Sequence, residues 1–222
     1  DWCYVELVRH LVTAEPVAIV FRSLLQKRRA LGRLSRSGVD LNRVETHIFP
    51  TNRSWIRDNG PTFVTRVSKD KRETEVALVD WHFNGWAKYK DWSQDDLLPM
   101  KIEEIRGFPR FEARTRNGHP IVFEGGSIDV NGNGAALATE ECLLDPIVQT
   151  RNPGLGRNGT EGALHDYLGV NTVIWLWRGI AGDDTHGHVD EIARFVDSHT
   201  VVAAVETDTS DENHHPLAEN FR

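Results

Sequence analysis

One pattern constrains this chain more than any other. A strand, a polar loop, a hairpin and a helix recur about every 65 residues, with the loops centred near Asp58, Glu124 and His188. Repetition with one charged loop per unit suggests radial or stacked modules that bring successive loops to a common centre. An ordinary α+β domain with coincidental spacing is the competing reading, and spacing alone does not separate the two.

Hydrophobic periodicity fills in the units. Residues 2–12 place Val5, Val8, Leu11 and Val12 on one helical face, followed by a buried strand at 17–21. A second helix over 23–37 ends at Gly38, and a strand covers 44–49. Strand 62–67 pairs with 75–81, 101–106 reads as strand, and 128–130 pairs with 135–138 across Asn131-Gly132-Asn133-Gly134. A helix near 161–168, a strand at 172–176, a Gly-rich loop over 179–187 and a strand pair at 189–195 and 200–205 complete the chain.

Composition narrows the function classes. The 222 residues are 39 % hydrophobic, enough for a sizeable core. A net charge of −7 with basic residues scattered, apart from a solvated helix face at 26–36, gives no groove for nucleic acid and is compatible with a small cationic substrate. There is no long apolar run for a membrane and no export pattern. Two cysteines without motif spacing, Cys3 and Cys142, fit a reducing, cytoplasmic setting. The chain starts without Met and stops after a polar stretch, so both ends read as cuts.

Three segments could carry chemistry. Trp55-Ile56-Arg57-Asp58-Asn59-Gly60-Pro61 sets a ring and a carboxylate in a turn at a strand end; a backbone-capping turn is the plainer alternative. Glu124-Gly125-Gly126-Ser127 sets a lone carboxylate before glycines that permit close approach, or else forms a simple bulge. Gly182 to Glu191 is the densest ionisable cluster. If 188–190 is extended, His188 and Asp190 share a face, pairing an acid/base imidazole with a cation-holding carboxylate. His186 and His188 with nearby carboxylates also suit a metal-dependent hydrolase, and a solvated polar loop is the third reading.

Six ordered segments carry a resemblance over essentially the whole chain: Trp55 to Pro61, Phe83-Asn84-Gly85-Trp86, Glu124 to Ser127, Thr139-Glu140-Glu141-Cys142-Leu143-Leu144, Arg151-Asn152-Pro153 and Gly187-His188-Val189-Asp190. Together they resemble the agmatine deiminases, which sit with the bacterial-type peptidyl-arginine deiminases. The resemblance implies an α/β fold, the pentein-type propeller of five ββαβ modules around a substrate channel. About three modules would lie within residues 1–222, an incomplete single catalytic domain.

The implied reaction converts agmatine and water to N-carbamoylputrescine and ammonia, a step toward putrescine, through a cysteine-bound thiouronium. By resemblance Asp58 and Asp190 grip the guanidinium, and His188 is the general acid/base. Glu124 orients the imidazole and Trp55 walls the aliphatic stem. Asp184, an acidic neighbour in the loop that carries His188, is the candidate partner for the primary ammonium. The nucleophile lies in a C-terminal motif that no segment here matches, so the fragment is expected to be inactive. Cys142 and Cys3 are expected to be buried and inert. No metal or cofactor is implied. Hydrolysis of peptidyl-arginine is the nearest rival, and a guanidine-binding remnant without turnover is another. The oligomeric state, a homo-oligomer included, is unsettled.

Overall fold

The structure, a computed structural model, describes residues 2–67 and 74–222. It divides into two compact units, one reaching to Asn52 and the other spanning Arg53–Arg222. In the first, α1 (Trp2–Ala14) leads to β1 (Val17–Phe21), α2 (Leu24–Arg36) and β2 (Val44–Ile48). The two strands pair in parallel, Val17 opposite Val44 through Phe21 opposite Ile48. Ser23 caps α2 by accepting a hydrogen bond from the Gln26 amide at 3.2 Å. Val8, Val12, Leu34 and Val39 form this unit's core. Leu11 and Cys3 are exposed, so the predicted apolar face is narrower than its periodicity implied, and Cys3 is not a buried thiol.

The second unit contains two successive ββαβ modules. The first comprises β3 (Thr62–Val67) and β4 (Thr74–Asp80), which follow the one-turn helix α3 (Ile56–Asn59), then α4 (Leu98–Arg106) and β5 (Arg110–Glu112). β3 and β4 are antiparallel, with Thr62 opposite Val79, and β5 joins β4 in parallel after the helical crossover. The second repeats the topology: β6 (Ile128–Val130) and β7 (Ala135–Thr139) are antiparallel, and β8 (Thr172–Leu176) runs parallel to β7 after α5 (Glu140–Leu144) and α6 (Gly156–Leu168). An antiparallel pair, β9 (Ala193–Phe195) and β10 (Val201–Ala203), followed by α7 (His214–Glu219), opens a third.

The Asn131-Gly132-Asn133-Gly134 turn closes the β6–β7 hairpin as read from sequence. The Asn131 side-chain oxygen accepts from the amides of Asn133 and Ala135 at 2.8 and 2.9 Å.

Three local expectations are corrected. Residues 101–106 are helical, not strand: Pro99 sits in the first turn of α4, and Gly107 ends it at φ +68°, a backbone that only glycine adopts without strain. α6 begins five residues before the predicted start at 161. Its first turn is held by the Thr160 hydroxyl, which donates to the Gly156 carbonyl at 2.9 Å, and by Arg157 lying 4.7 Å over the Trp175 ring. Finally, Val189–Glu191 is a short 3-10 turn, so the strand predicted over 189–195 is reduced to β9.

One core joins the two modules. Val79 and Trp81 from the first pack with Phe123, Ile128, Ala136, Ala138, Cys142, Leu143 and Leu164. Trp81 meets Phe123 and Tyr167 edge to face at 4.9 and 5.4 Å. Burial of a side chain such as Phe123 contributes roughly 1.5–3 kcal/mol, and it anchors the residue immediately before Glu124. A second core around Leu137, Leu176, Val189 and Ile192 anchors the residue immediately after His188. Charged side chains at 124 and 188 are thus fixed by buried neighbours one residue away. Among the described residues no helix is long and apolar enough to cross a membrane.

Candidate active site

The three loops meet. His188 lies between carboxylates: its Nδ1 is 3.8 Å from Asp58 Oδ1 and 3.9 Å from Asp190 Oδ1, and its Nε2 is 3.7 Å from Glu124 Oε2. Asp58, Glu124 and His188 are buried, Glu124 completely, while Asp190 is partly open.

Each group is held by identifiable contacts. Asp58 lies in α3, where its Oδ2 accepts from Trp86 Nε1 at 3.2 Å and its Oδ1 from the Gly126 amide at 3.1 Å. The Asp190 amide donates to the Gly126 carbonyl at 3.2 Å, so one glycine ties both carboxylate loops together. A Cβ at Gly126 would stand 2.5 Å from His188 Nδ1, 2.8 Å from Asp58 Oδ1 and 3.0 Å from Asp190 Oδ2. Only a residue without a side chain fits where the three groups converge. Extended backbone does not account for the meeting of His188 and Asp190, as the sequence reading supposed. His188 precedes the 3-10 turn Val189–Glu191, whose tight coil folds Asp190 back toward the ring.

Two residues that sequence reasoning did not assign complete the frame. Arg151, quoted above only as part of a motif, is buried. Its Nε donates to Glu124 Oε1 at 3.1 Å, while Nη1 and Nη2 donate to the carbonyls of Gln149 and Thr185 at 2.9 and 2.5 Å. One guanidinium therefore neutralises Glu124 and joins its loop to the one that carries His188. Asp183 shapes that latter loop, accepting from Thr185 N and Oγ1 and from the amides of Gly187 and His188 at 2.6 to 3.1 Å. The Asp-x-Thr spacing was the available signal for it.

Burial and charge act against each other here. Desolvation disfavours ionisation of Glu124, yet Arg151 and His188 outweigh it and hold the carboxyl below its ordinary range. Desolvation also works against protonated His188, but the neighbouring Glu124 and Asp58 carboxylates raise it above the usual imidazole value. Asp58 goes the other way: burial raises it, although His188 offsets part of the effect. The site thus pairs an imidazole of raised proton affinity with a Glu124 carboxyl of lowered proton affinity, and its carboxylate oxygens are acceptors of the kind a planar cation requires.

The remaining candidates lie elsewhere. Trp55 is 60 % exposed, and its carbonyl accepts from the Asp58 amide at 3.0 Å. Asp184 is exposed and bound to the Lys88 ammonium and to Tyr89 Oη, the latter at 2.6 Å. His186 diverges from His188, reaching Asp145 Oδ2 at 3.0 Å, so the two histidines do not share one ligand set. Cys142 is buried as expected, and burial pushes its thiol well up. Ligand atoms of Glu124, Cys142 and His188 lie within 4.8 Å of one another.

Residues 1–222 match the Porphyromonas-type peptidyl-arginine deiminase family throughout. The chain belongs to that family. It is 43 % identical over 180 residues to the agmatine deiminase of Medicago truncatula, covering 77 % of this chain and 46 % of the relative. It is 36 % identical over 216 residues to the agmatine deiminase of Ectopseudomonas mendocina, covering 95 % and 54 %. The chain spans about half the length of the curated relatives it matches. A solved agmatine deiminase of Enterococcus faecalis, described as catalysing its reaction, superposes with a TM-score of 0.82 at 31 % identity over 98 % of this chain and 56 % of that one. The α/β fold expected from the motifs is therefore the family's.

Proposed function

We propose that this chain supplies the guanidinium-gripping and proton-transfer part of an agmatine deiminase, within a single catalytic domain of which it is a portion. The observation that carries the reading is the convergence of Asp58, Glu124 and Asp190 on His188, three carboxylates around one imidazole. A guanidinium is flat, permanently charged and weakly electrophilic, so a site that hydrolyses it must orient it by charge-assisted hydrogen bonds before attack.

In the proposed reaction a cysteine thiolate from outside these residues attacks the guanidinium carbon. The tetrahedral adduct collapses as His188 gives its proton to the departing ammonia, leaving an S-alkylthiouronium. Neutral His188 then takes a proton from water as the water attacks that carbon. Collapse releases the thiolate and N-carbamoylputrescine, one hydrolysis from putrescine. The raised proton affinity of His188 serves the first half, because it favours the protonated ring that this step consumes. Cys142 is unsuited to the attack: it is buried and its thiol is held protonated.

The relatives named agmatine deiminase favour agmatine as the substrate. Asp184 would accept the primary ammonium only by exchanging Lys88 for the ligand. Two unpaired cysteines support a cytoplasmic location. The complete protein, supplied with agmatine and in parallel with a C-terminal arginyl peptide, is expected to release ammonia and N-carbamoylputrescine from the former only. Turnover of the peptide alone would transfer the reading to peptidyl-arginine, and calorimetric binding of agmatine without ammonia release would leave a guanidine-binding protein.

A further inference from the structure

One feature plays no part in the proposed reaction: the buried thiol of Cys142 stands close to both Glu124 and the acid/base histidine. Glu124 Oε2 and His188 Nε2 are both buried without a hydrogen-bond partner and face each other at 3.7 Å, too far for a hydrogen bond. Unpartnered buried polar atoms are uncommon and costly. Cys142 Sγ, one imidazole nitrogen of His188 and one carboxylate oxygen of Glu124 form a triangle whose edges are all within 4.8 Å. Adjacent ligand atoms in tetrahedral zinc sites stand roughly 3.3–3.8 Å apart, given bond lengths of about 2.0–2.3 Å. A small contraction of this triangle therefore reaches ligand geometry.

The surroundings also match what a metal ligand set requires. The other ring nitrogen, Nδ1, lies 3.8 and 3.9 Å from Asp58 and Asp190, and a shift of under about 1 Å would bring a carboxylate into hydrogen-bond reach to orient a metal-binding imidazole. Arg151 binds Glu124 Oε1 and leaves Oε2 available.

We infer that Glu124, Cys142 and His188 form an inhibitory site for a borderline divalent cation of the zinc class, at which the metal engages two side chains, Glu124 and His188, that the proposed reaction needs. Binding displaces the thiol proton of Cys142 and any proton on His188 Nε2 to solvent, and no redox change occurs. Set apart from the metal-dependent hydrolase weighed from sequence, this site uses Cys142 in place of His186, and the metal blocks turnover instead of driving it.

The test uses the complete protein and its Cys142→Ala and Cys142→Ser variants, with cobalt(II) and zinc(II) salts as the probes. Cobalt added without substrate is expected to give a thiolate-to-metal charge-transfer band that is weaker in both variants than in the native protein by one thiolate's worth. Zinc is expected to inhibit agmatine turnover, with the half-inhibiting concentration at least about 10-fold higher in the variants. Identical cobalt spectra in native protein and Cys142→Ala would overturn the inference, independently of which guanidine the enzyme hydrolyses. Equal zinc sensitivity of native and variant turnover would overturn the inhibitory role.

Discussion

Two acid–base pairs in the second unit have the same chemistry and opposite settings. Glu124 and Arg151 meet at 3.1 Å with both side chains fully buried, whereas Asp184 and Lys88 meet with 60 % and 39 % of their side chains exposed. In the exposed pair, water can replace either partner, so the contact contributes about 0–1 kcal/mol. In the buried pair neither ion can be left alone, because an uncompensated buried charge costs several kcal/mol. The shorter contact is the weaker constraint, and setting outweighs distance. The sequence assigned a role to Asp184, as an acid in the His188 loop, and none to Arg151, while the structure joins Arg151 to both Glu124 and the loop that carries His188.

The comparison breaks first at Arg151. Arg151→Met in the complete protein is expected to lower unfolding stability by about 3–5 kcal/mol, read by denaturant titration, and adding Glu124→Gln should recover part of it. A loss below about 1 kcal/mol would mean that water reaches the pair.

Gly126→Ala comes next. The added Cβ would collide with His188, Asp58 and Asp190, and displacement of these groups by a few tenths of an ångström to 1 Å is expected to reduce turnover by about 100-fold. Stability should change far less than turnover, which separates crowding of the site from unfolding.

An intermediate case is His82 with Asp96, whose side chains are 28 % and 25 % exposed at 3.0 Å. The hydrogen bond to Asp96 raises the His82 imidazole above its ordinary value. Its protonated form therefore favours the folded state. The stabilisation is complete below the unfolded value of about 6.5 and is lost as pH rises through the higher folded value. The difference in unfolding free energy between native protein and His82→Gln should shrink as pH is raised across that window, by under about 1 kcal/mol. A difference that grows with pH would contradict the assignment.

The smallest effect belongs to the exposed pair. Lys88→Met is expected to alter stability by no more than about 1 kcal/mol. If Asp184 exchanges Lys88 for the substrate ammonium, the same change should lower KM for agmatine and leave kcat unaltered.

Sequence made the module grammar legible because hairpins and helix ends carry local chemistry. Asn131 and Gly132 write the β6–β7 turn, and the charged loops recur at even spacing. The segment 101–106 misled because six residues with two isoleucines are too short a window to establish a period, although their spacing of three is helical, and the deciding signals, Pro99 and Gly107, flank it. Asp58, Glu124, His188 and Asp190 stood out as ionisable groups in turn-rich loops, and the family pattern gave each its role. Arg151 escaped because its importance is its burial, and burial of an arginine is set by residues 27 and 34 positions away, at Glu124 and Thr185. Asp183 was passed over for its neighbour because two adjacent acids look equivalent until one of them turns inward.

The most direct measurement is a crystal structure of the complete protein with its nucleophilic cysteine replaced by serine and agmatine bound. The guanidinium should lie within hydrogen-bond reach of Asp58 and Asp190, with Glu124 and His188 against the same plane. Agmatine seated away from these four side chains, or held by its ammonium end among them, would contradict the account.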